Sequence, residues 1–351
     1  MNLKELAASL GLSQTTVSRA LNGYPEVAEA TRRRVLDAAA RHDYRPNVRA
    51  RSLATGRAMA IGHVLPAVDQ HEILNPVFGD FISGAGETYR RAGYDMVLSI
   101  VEDSEEQRTY RDLRARGTVD GLILHAPRMN DPRIEMLREI GLPFVVHGRA
   151  SGRHGYSWLD VNNRRAFQRA ADFLLDLGHR RIALVNGRET MDFAHRRRSG
   201  FEAALADRGL CPDPALMRSE DMTESYGHRA AWQMLALPDP PTAFLVSSII
   251  CALGVRRAVE ERGLAIGRDV SIVTHDDALS YLRNGDEVPV FTATRSSVRE
   301  AGRLAAEMLL GLVEDPESGP RTMMLEAELT VGFSTGPAPG HGIEAVQSAA
   351  R

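Results

Sequence analysis

The chain has 351 residues, 43% of them hydrophobic and 25% charged, enough to bury a core in two or three lobes at roughly 100 to 200 residues per domain. No apolar run approaches the ~20 residues that span a bilayer, and the opening MNLKELAASL alternates charge with leucine, so neither a membrane span nor a signal peptide is expected and the chain is placed in the cytoplasm. The net charge is −3, yet residues 1–60 hold ten Lys and Arg against five Asp and Glu, so a basic head precedes an acidic body, as in a polyanion-binding module joined to a soluble domain.

In chain order, Leu3, Leu6, Ala7 and Leu10 fall at helical spacing, and Gly11 ends that helix in the left-handed conformation glycine adopts cheaply. A second helix follows at once: Ser13 caps it, Val17, Ala20 and Leu21 form its inward stripe, and Asn22-Gly23 closes it. Two short helices across a tight glycine turn make the helix-turn-helix pattern, whose second helix enters the DNA major groove. Its outward residues are Gln14, Thr15, Ser18 and Arg19, with Ser13, Thr16 and Asn22 beside them as DNA contacts. Gln pairs with adenine, Arg with guanine, and Thr offers a hydroxyl and a methyl to thymine; the competing reading is a solvated polar face on a helical hairpin. A third helix, about Ala28 to His42, turns Thr31, Val35, Ala38 and Ala39 inward and groups Arg32, Arg33 and Arg34 near its start, where they either meet phosphates or are solvated.

In YRPNVRARSLATGR, residues 44–57, Pro46 breaks the preceding helix and Asn47 caps a short new one carrying Val48, Ala50, Leu53 and Ala54 between Arg49, Arg51 and Arg57. A helix below ~12 residues is marginal alone in water, so this one is expected to fold against a partner. The two cysteines, Cys211 and Cys251, form no Cys-x-x-Cys and read as packing residues; no metal or cofactor is expected.

The run LKELAASLGLSQTTVSRALNG, then VAEATRRRVLDAAARHDYRPNVRARSLATGR, closely resembles the DNA-binding head and hinge of the LacI/GalR (lactose-repressor/galactose-repressor) family of bacterial transcription regulators, and the likeness covers nearly the whole chain. The resemblance implies that the hinge folds on operator DNA, where two hinge helices of a homodimer enter the minor groove and Leu53 wedges the central base step, with Tyr44, Asn47, Arg49, Ala50 and Ala54 as neighbouring contacts. Unstacking a step costs a few kcal/mol and permits a bend with more contact. Ala28 departs from the family's usual Ser cap, which weakens the start of the third helix.

After Arg57 the period changes. MAIGHVLP, DMVLSI, GLILHA and PFVVHG, then RIALVNG, TAFLVSS and VSIVTHDD, are short apolar runs separated by helix-length segments, the rhythm of parallel sheets covered on both faces. The expected fold class is α/β: an all-α helix-turn-helix head (1–45), a hinge helix (46–57), a two-lobed periplasmic-binding-protein-like core with parallel sheets (58–335) and a flexible tail (336–351). On the family pattern the chain crosses between lobes near 160, 290 and 320, giving lobe 1 about 58–160 and 291–320 and lobe 2 about 161–290 and 321–335.

Open parallel sheets bind ligands at their strand C-termini. The resemblance carries ligand roles onto Arg197, Asp276, Arg149, Asn75 and Phe78; Ser248 stands where the family has a ligand-binding Asn, and Trp158 and Asp160 lie beside the first crossover. Carboxylates and guanidinium forks suit vicinal hydroxyls, and a flat aromatic suits a pyranose ring, so the set points to a sugar. Trp158 as core, and Arg196 to Arg198 as surface, are the bland readings. Two departures, Ser247-Ser248-Ile249 for Ala-Asn-Asp and Gly148 for an Asp, remove polar arms and suggest a wider site, as for an α-glucoside. An enzyme is disfavoured: no Gly-x-Gly-x-x-Gly follows the first strand, and no phosphate loop, Gly-x-Ser-x-Gly elbow or His-Glu-x-x-His occurs. A sugar-binding transport protein and a purine-responsive repressor are the alternatives. The expected partners are palindromic operator DNA, a small-molecule effector and a second copy of the chain; no leucine heptad in the tail suggests more than a dimer.

Overall fold

A computed structural model describes residues 1–21, 23–44, 56–66, 76–102 and 104–340. Asn22, Asn47, Arg49, Ala50, Leu53, Ala54 and Asn75, most of the expected hinge helix, and the tail beyond 340 lie outside these residues. The chain forms two compact units, Met1–Met59 and Ala60–Arg351. No helix among the described residues is long and apolar enough to cross a membrane.

The first unit holds three helices, α1 (Leu3–Leu10), α2 (Gln14–Leu21) and α3 (Glu29–Arg41). Asn2 and Glu5 close a reciprocal capping box on α1, and Gly11 ends it at φ 64°. The core of this unit is Leu6, Ala7, Val17, Ala20, Val35, Ala38 and Ala39, with Tyr44 packed against it. Ala28 gives α3 no side-chain cap. Of the three arginines at its start, Arg32 is tied inward, donating from Nη2 to the Tyr24 carbonyl at 2.7 Å and pairing with Glu29.

The second unit begins with β1 (Ala60–Pro66), α4 (Pro76–Ala92), β2 (Asp95–Val101), α5 (Glu106–Ala115), β3 (Gly121–His125), α6 (Pro132–Glu139), β4 (Phe144–His147) and β5 (Ser157–Val161). It continues with α7 (Asn163–Asp176), β6 (Ile182–Asn186), α8 (Asp192–Asp207), β7 (Met217–Ser219), α9 (Glu224–Met234), β8 (Ala243–Val246), α10 (Ile249–Glu261) and β9 (Ser271–Asp276). Then come β10 (Thr292–Arg295), α11 (Val298–Glu314), β11 (Thr322–Leu325) and β12 (Glu328–Thr330). The strands form two six-stranded sheets, β11-β5-β4-β3-β1-β2 and β12-β10-β9-β8-β6-β7. Pairing is parallel throughout except between β10 and β12.

The chain passes between sheets three times, after β5, β10 and β11. Two of these differ from the expected crossings. Thr292–Arg295, expected in lobe 1, pairs with β9 in the second sheet, and Thr322–Leu325, expected in lobe 2, pairs with β5 in the first. Both are four-residue strands without a long apolar run, so neither stands out in the sequence. Cys211 is also exposed, whereas Cys251 is buried as expected.

Within each lobe, helices approach closely through glycine. A Cβ built on Gly302 of α11 would sit 2.1 Å from the Phe81 carbonyl oxygen of α4, and one on Gly84 would sit 1.9 Å from the Arg299 carbonyl. Backbone cannot yield like the tip of a side chain, so Gly302→Ala should force the helices apart and cost about 1–3 kcal/mol. Urea unfolding of the second unit should show that loss. Gly79→Ala, on the same helix α4 with nothing within 4 Å of its Cβ, should leave stability equal or slightly higher.

Candidate functional site

The first unit exposes one polar face. Ser13 Oγ accepts the Thr16 N–H at 3.0 Å and lies 2.8 Å from Thr16 Oγ1, fixing the start of α2. Val17 and Ala20 are buried, so helical spacing turns Gln14, Thr15 and Arg19 fully outward, with Thr16 and Ser18 half-buried beside them. Tyr44 is half-buried, and burial raises its hydroxyl pKa.

In the second unit a cavity of about 220 Å³ lies between the two sheets at their strand C-termini. Lobe 1 contributes Phe78 and Phe81 from α4, His125 from the end of β3, His147 and Arg149 from the end of β4 and the loop beyond, and Asp160 from β5. Lobe 2 contributes Asn163, Phe193, Arg197, Met222, His275, Asp277 and Ser296. Arg149 Nε donates to Asp160 Oδ2 at 2.8 Å, and its guanidinium lies 5.0 Å from the centre of the Trp158 ring. Burial raises the Asp160 pKa in spite of that partner.

Arg197 is buried between the rings of Phe167 and Phe193, 5.1 and 5.0 Å from their centres. It donates from Nε to Asn163 Oδ1 at 2.8 Å and from Nη1 to the Ser247 carbonyl at 2.5 Å. Burial pulls its pKa down to about 10, opposed by the charges of Asp277 and Asp160. Burial pushes the Asp277 carboxyl up, but His275 at 3.5 Å and the Arg197 charge outweigh it and hold the group below its ordinary range. Burial drives His125, His147 and His275 down, His147 to about 4, so all three imidazoles are neutral at pH 7.

Phe78, Arg149, Asp160 and Arg197 thus line the cavity, whereas three other sequence candidates do not. Trp158 packs beneath the Arg149 guanidinium. Ser248 is buried and caps α10, its Oγ accepting the Ile250 N–H at 3.2 Å. Asp276 closes a turn by accepting the Ala278 N–H at 2.8 Å and lies 3.6 Å from Arg295, so the cavity carboxylate is its neighbour Asp277. Alternation along β9 and its exit separates the two. Sequence reasoning missed the histidines, although GLILH, PFVVH and SIVTH each end an apolar run in His at a strand C-terminus.

The lobes are joined beside the cavity by backbone bonds, among them the Asp192 N–H donating to the Pro127 carbonyl at 3.1 Å, and by side-chain clasps. Asp80 of α4 accepts the Ser280 N–H and Oγ–H, both at 2.6 Å, and Asp192 of α8 accepts the Ser151 N–H at 2.6 Å. The lining segment at His125 and Ala126 is held from behind. Arg133 donates from Nη2 to both carbonyls, at 3.3 and 3.2 Å, while pairing with buried Asp131 and Glu106.

A helix-turn-helix head on a two-lobed receptor core with a cavity at the strand ends defines a ligand-responsive DNA-binding regulator. Residues 2–47 match the model of the bacterial regulatory proteins of the lacI family, and residues 171–335 match a periplasmic binding protein-like domain. The chain is 47% identical to the HTH-type transcriptional regulator AglR of Rhizobium meliloti (strain 1021) over 97% of its length and 95% of that protein, and 35% identical to the regulator RafR of Escherichia coli over 91% and 94%. Among solved structures it is similar to a Lac repressor dimer bound to operator and the anti-inducer ONPF (TM-score 0.81, 25% identity, 96% of this chain and 99% of that one). It is also similar to a CelR–cellobiose complex (TM-score 0.70, 28% identity, 95% and 99%). The protein belongs to the lacI family of bacterial transcriptional regulators.

Arg133→Met should cost about 3–5 kcal/mol at pH 7, because it leaves Asp131 and Glu106 buried without their cation. Burial pushes the Asp131 carboxyl up, but its bonds to Arg133 outweigh that and hold it below its ordinary range, so its stabilisation is full above that range and is lost as pH falls through the folded value. In the variant the stranded Asp131 carboxyl, left with its burial, favours protonation instead. Urea unfolding of both proteins at pH 7 and pH 4 should show the difference between them shrinking in acid.

Proposed function

We propose that the protein acts in the cytoplasm as a homodimeric repressor, binding a two-fold symmetric operator through Ser13, Gln14, Thr15, Thr16, Ser18 and Arg19, and that a neutral carbohydrate held between the core lobes controls its operator affinity. The observation that carries the effector reading is the charge balance of the cavity. Arg149 and Arg197 are offset by Asp160 and Asp277, and His125, His147 and His275 are uncharged. Such a wall offers donors and acceptors in number without net charge, which suits a polyol and penalises a phosphate or a carboxylate. Phe78 and Phe193 add flat apolar faces for a sugar ring. The CelR relative was solved with cellobiose, which supports a sugar of this general kind. An α-glucoside is the first candidate, because Gly148 and Ser248 lack the longer polar arms of some relatives.

A second copy has a surface to meet. Edge strand β2 exposes Leu98 and Ile100, and Tyr281 is 71% exposed in lobe 2, an apolar display that a monomer gains nothing by keeping. Asn22, Tyr44, Asn47, Arg49, Ala50, Leu53 and Ala54 complete the proposed DNA contacts, with Leu53 as the wedge, and Asn75 stands as a proposed effector contact. The cavity groups bind and do not catalyse in this reading.

Selection of bound duplexes from a random library by the ligand-free protein should enrich a palindrome with a flexible central pyrimidine–purine step. Arg19→Ala should relax one position per half-site by about 1–3 kcal/mol; unchanged preference would remove Arg19 from the reading face. Asp277→Asn should keep operator binding but lose release by maltose-type disaccharides, read by fluorescence anisotropy of a labelled operator. Release by a phosphorylated sugar and by no neutral one would overturn the effector class.

A further inference from the structure

Beneath the cavity, lobe 1 stacks three imidazoles on one face of its sheet. His63 lies in β1 opposite Ile123 of β3, and His125, two residues further along, falls on the same face and pairs with His147 of β4. His63 Nδ1 is 2.9 Å from His125 Nε2, and the Tyr89 hydroxyl of α4 is 3.3 Å from His63 Nε2. His63 is fully buried and Tyr89 is 1% exposed. Burial pushes His63 down to about 3 and His125 well below its ordinary value, and it raises the Tyr89 hydroxyl, so each imidazole holds one proton and the tyrosine keeps its own.

These facts fix a direction. Among the described residues the Tyr89 hydroxyl has His63 Nε2 as its partner, and it satisfies its proton by donating there; in the reverse sense a buried O–H would have no acceptor. His63 Nε2 then carries the lone pair, and in a neutral ring the proton sits on Nδ1. That N–H donates to His125 Nε2, which in turn places the His125 proton on Nδ1. Nδ1 has no partner among the described residues, yet it is not among the buried polar atoms left unsatisfied, and His125 lines the cavity. Its N–H therefore opens on the cavity.

We propose that Tyr89 and His63 are positioning residues that lock His125 in its Nδ1–H tautomer, so that His125 meets the effector as a hydrogen-bond donor. The chain of three groups thereby selects an effector with an acceptor oxygen at this point. The effector half of this inference rests on the carbohydrate reading above; the tautomer half does not. Stranding the tyrosine proton should disfavour the reverse polarity by about tenfold or more.

The test is nitrogen NMR of the full-length, effector-free protein labelled with 15N-histidine, in which protonated and lone-pair imidazole nitrogens have separate resonances; His63→Asn and His125→Asn variants assign the signals. The expected result is Nδ1–H for both His63 and His125. In Tyr89→Phe, with the far-ultraviolet circular dichroism of the fold retained, the reverse tautomer should appear in both rings. His125 protonated on Nε2 in the wild type, or tautomers unchanged in Tyr89→Phe, would overturn the proposal; should that variant fail to fold, the wild-type spectrum alone decides. Calorimetry with maltose and methyl α-D-glucopyranoside then reads the effector half, with affinity falling about threefold to tenfold in Tyr89→Phe. Equal affinity in both proteins would show that His125 does not donate to the effector. If neither sugar binds the wild type while Nδ1–H is observed, the carbohydrate reading fails and the tautomer lock stands.

Discussion

Parallel strand pairing is the constraint from which the site follows. In each six-stranded sheet every pair but β10 and β12 runs parallel, so all the other strand ends of a sheet collect at one edge, and three chain crossings bring the two edges together. Several of the residues at or just beyond these strand ends then line the cavity between the lobes. His125 and His147 each hold the last position of a strand, and His275 and Asp160 hold the next to last of β9 and β5. Asp277 and Ser296 stand one residue after β9 and β10. The cavity needs no dedicated loop architecture; it is the place where two edges meet.

Charge inside that edge is expensive, and its arrangement shows how the cost is met. Arg149 has a carboxylate partner at 2.8 Å, whereas Arg197 is satisfied by an amide oxygen, a backbone carbonyl and two phenyl faces, with Asp277 and Asp160 acting at longer range. A guanidinium held without a direct counter-ion stays positioned by rigid groups whether or not the cavity is filled. Arg133 does the complementary task from behind the sheet, fixing the carbonyls of His125 and Ala126 while neutralising two buried acids. The lining is thereby presented in one geometry, and an effector need not order it on arrival.

The sequence made the head and the sheet rhythm legible because both are local. Gly11, the Ser13 cap and the Val17–Ala20 stripe each declare themselves within a few residues, and the seven apolar runs read as strands are strands in the structure. What stayed hidden is set by pairing across long separations. Strands β10 and β11 are four residues each, and only their hydrogen bonds to β9 and β5 assign them to a lobe. Asp276 and Asp277 are chemically identical in the sequence, and a turn bond to Ala278 decides which one faces the cavity. Ser248 reads equally as cap or ligand; its bond to Ile250 makes it the cap. The histidines were visible as letters, but their meaning depends on β1, β3 and β4 lying side by side.

The clasps between the lobes bear on how such a cavity can control anything. Asp80 with Ser280, and Asp192 with Ser151, are short hydrogen bonds to a few groups, with Arg196 also paired to Asp192 and donating to Ser151 Oγ at 3.1 Å. Each bond to a charged group contributes about 1–3 kcal/mol, so a ligand that favours another arrangement of the lobes works against several of them at once. A ligand shifts two such arrangements only by the difference in its affinity for them. The cavity wall draws on both lobes, with Arg149 and Asp160 on one side and Arg197 and Asp277 on the other, so a bound polyol gains its full set of hydrogen bonds only when both sides are in place. The same polar groups therefore confer recognition and differential affinity, and no separate switch is required in the core.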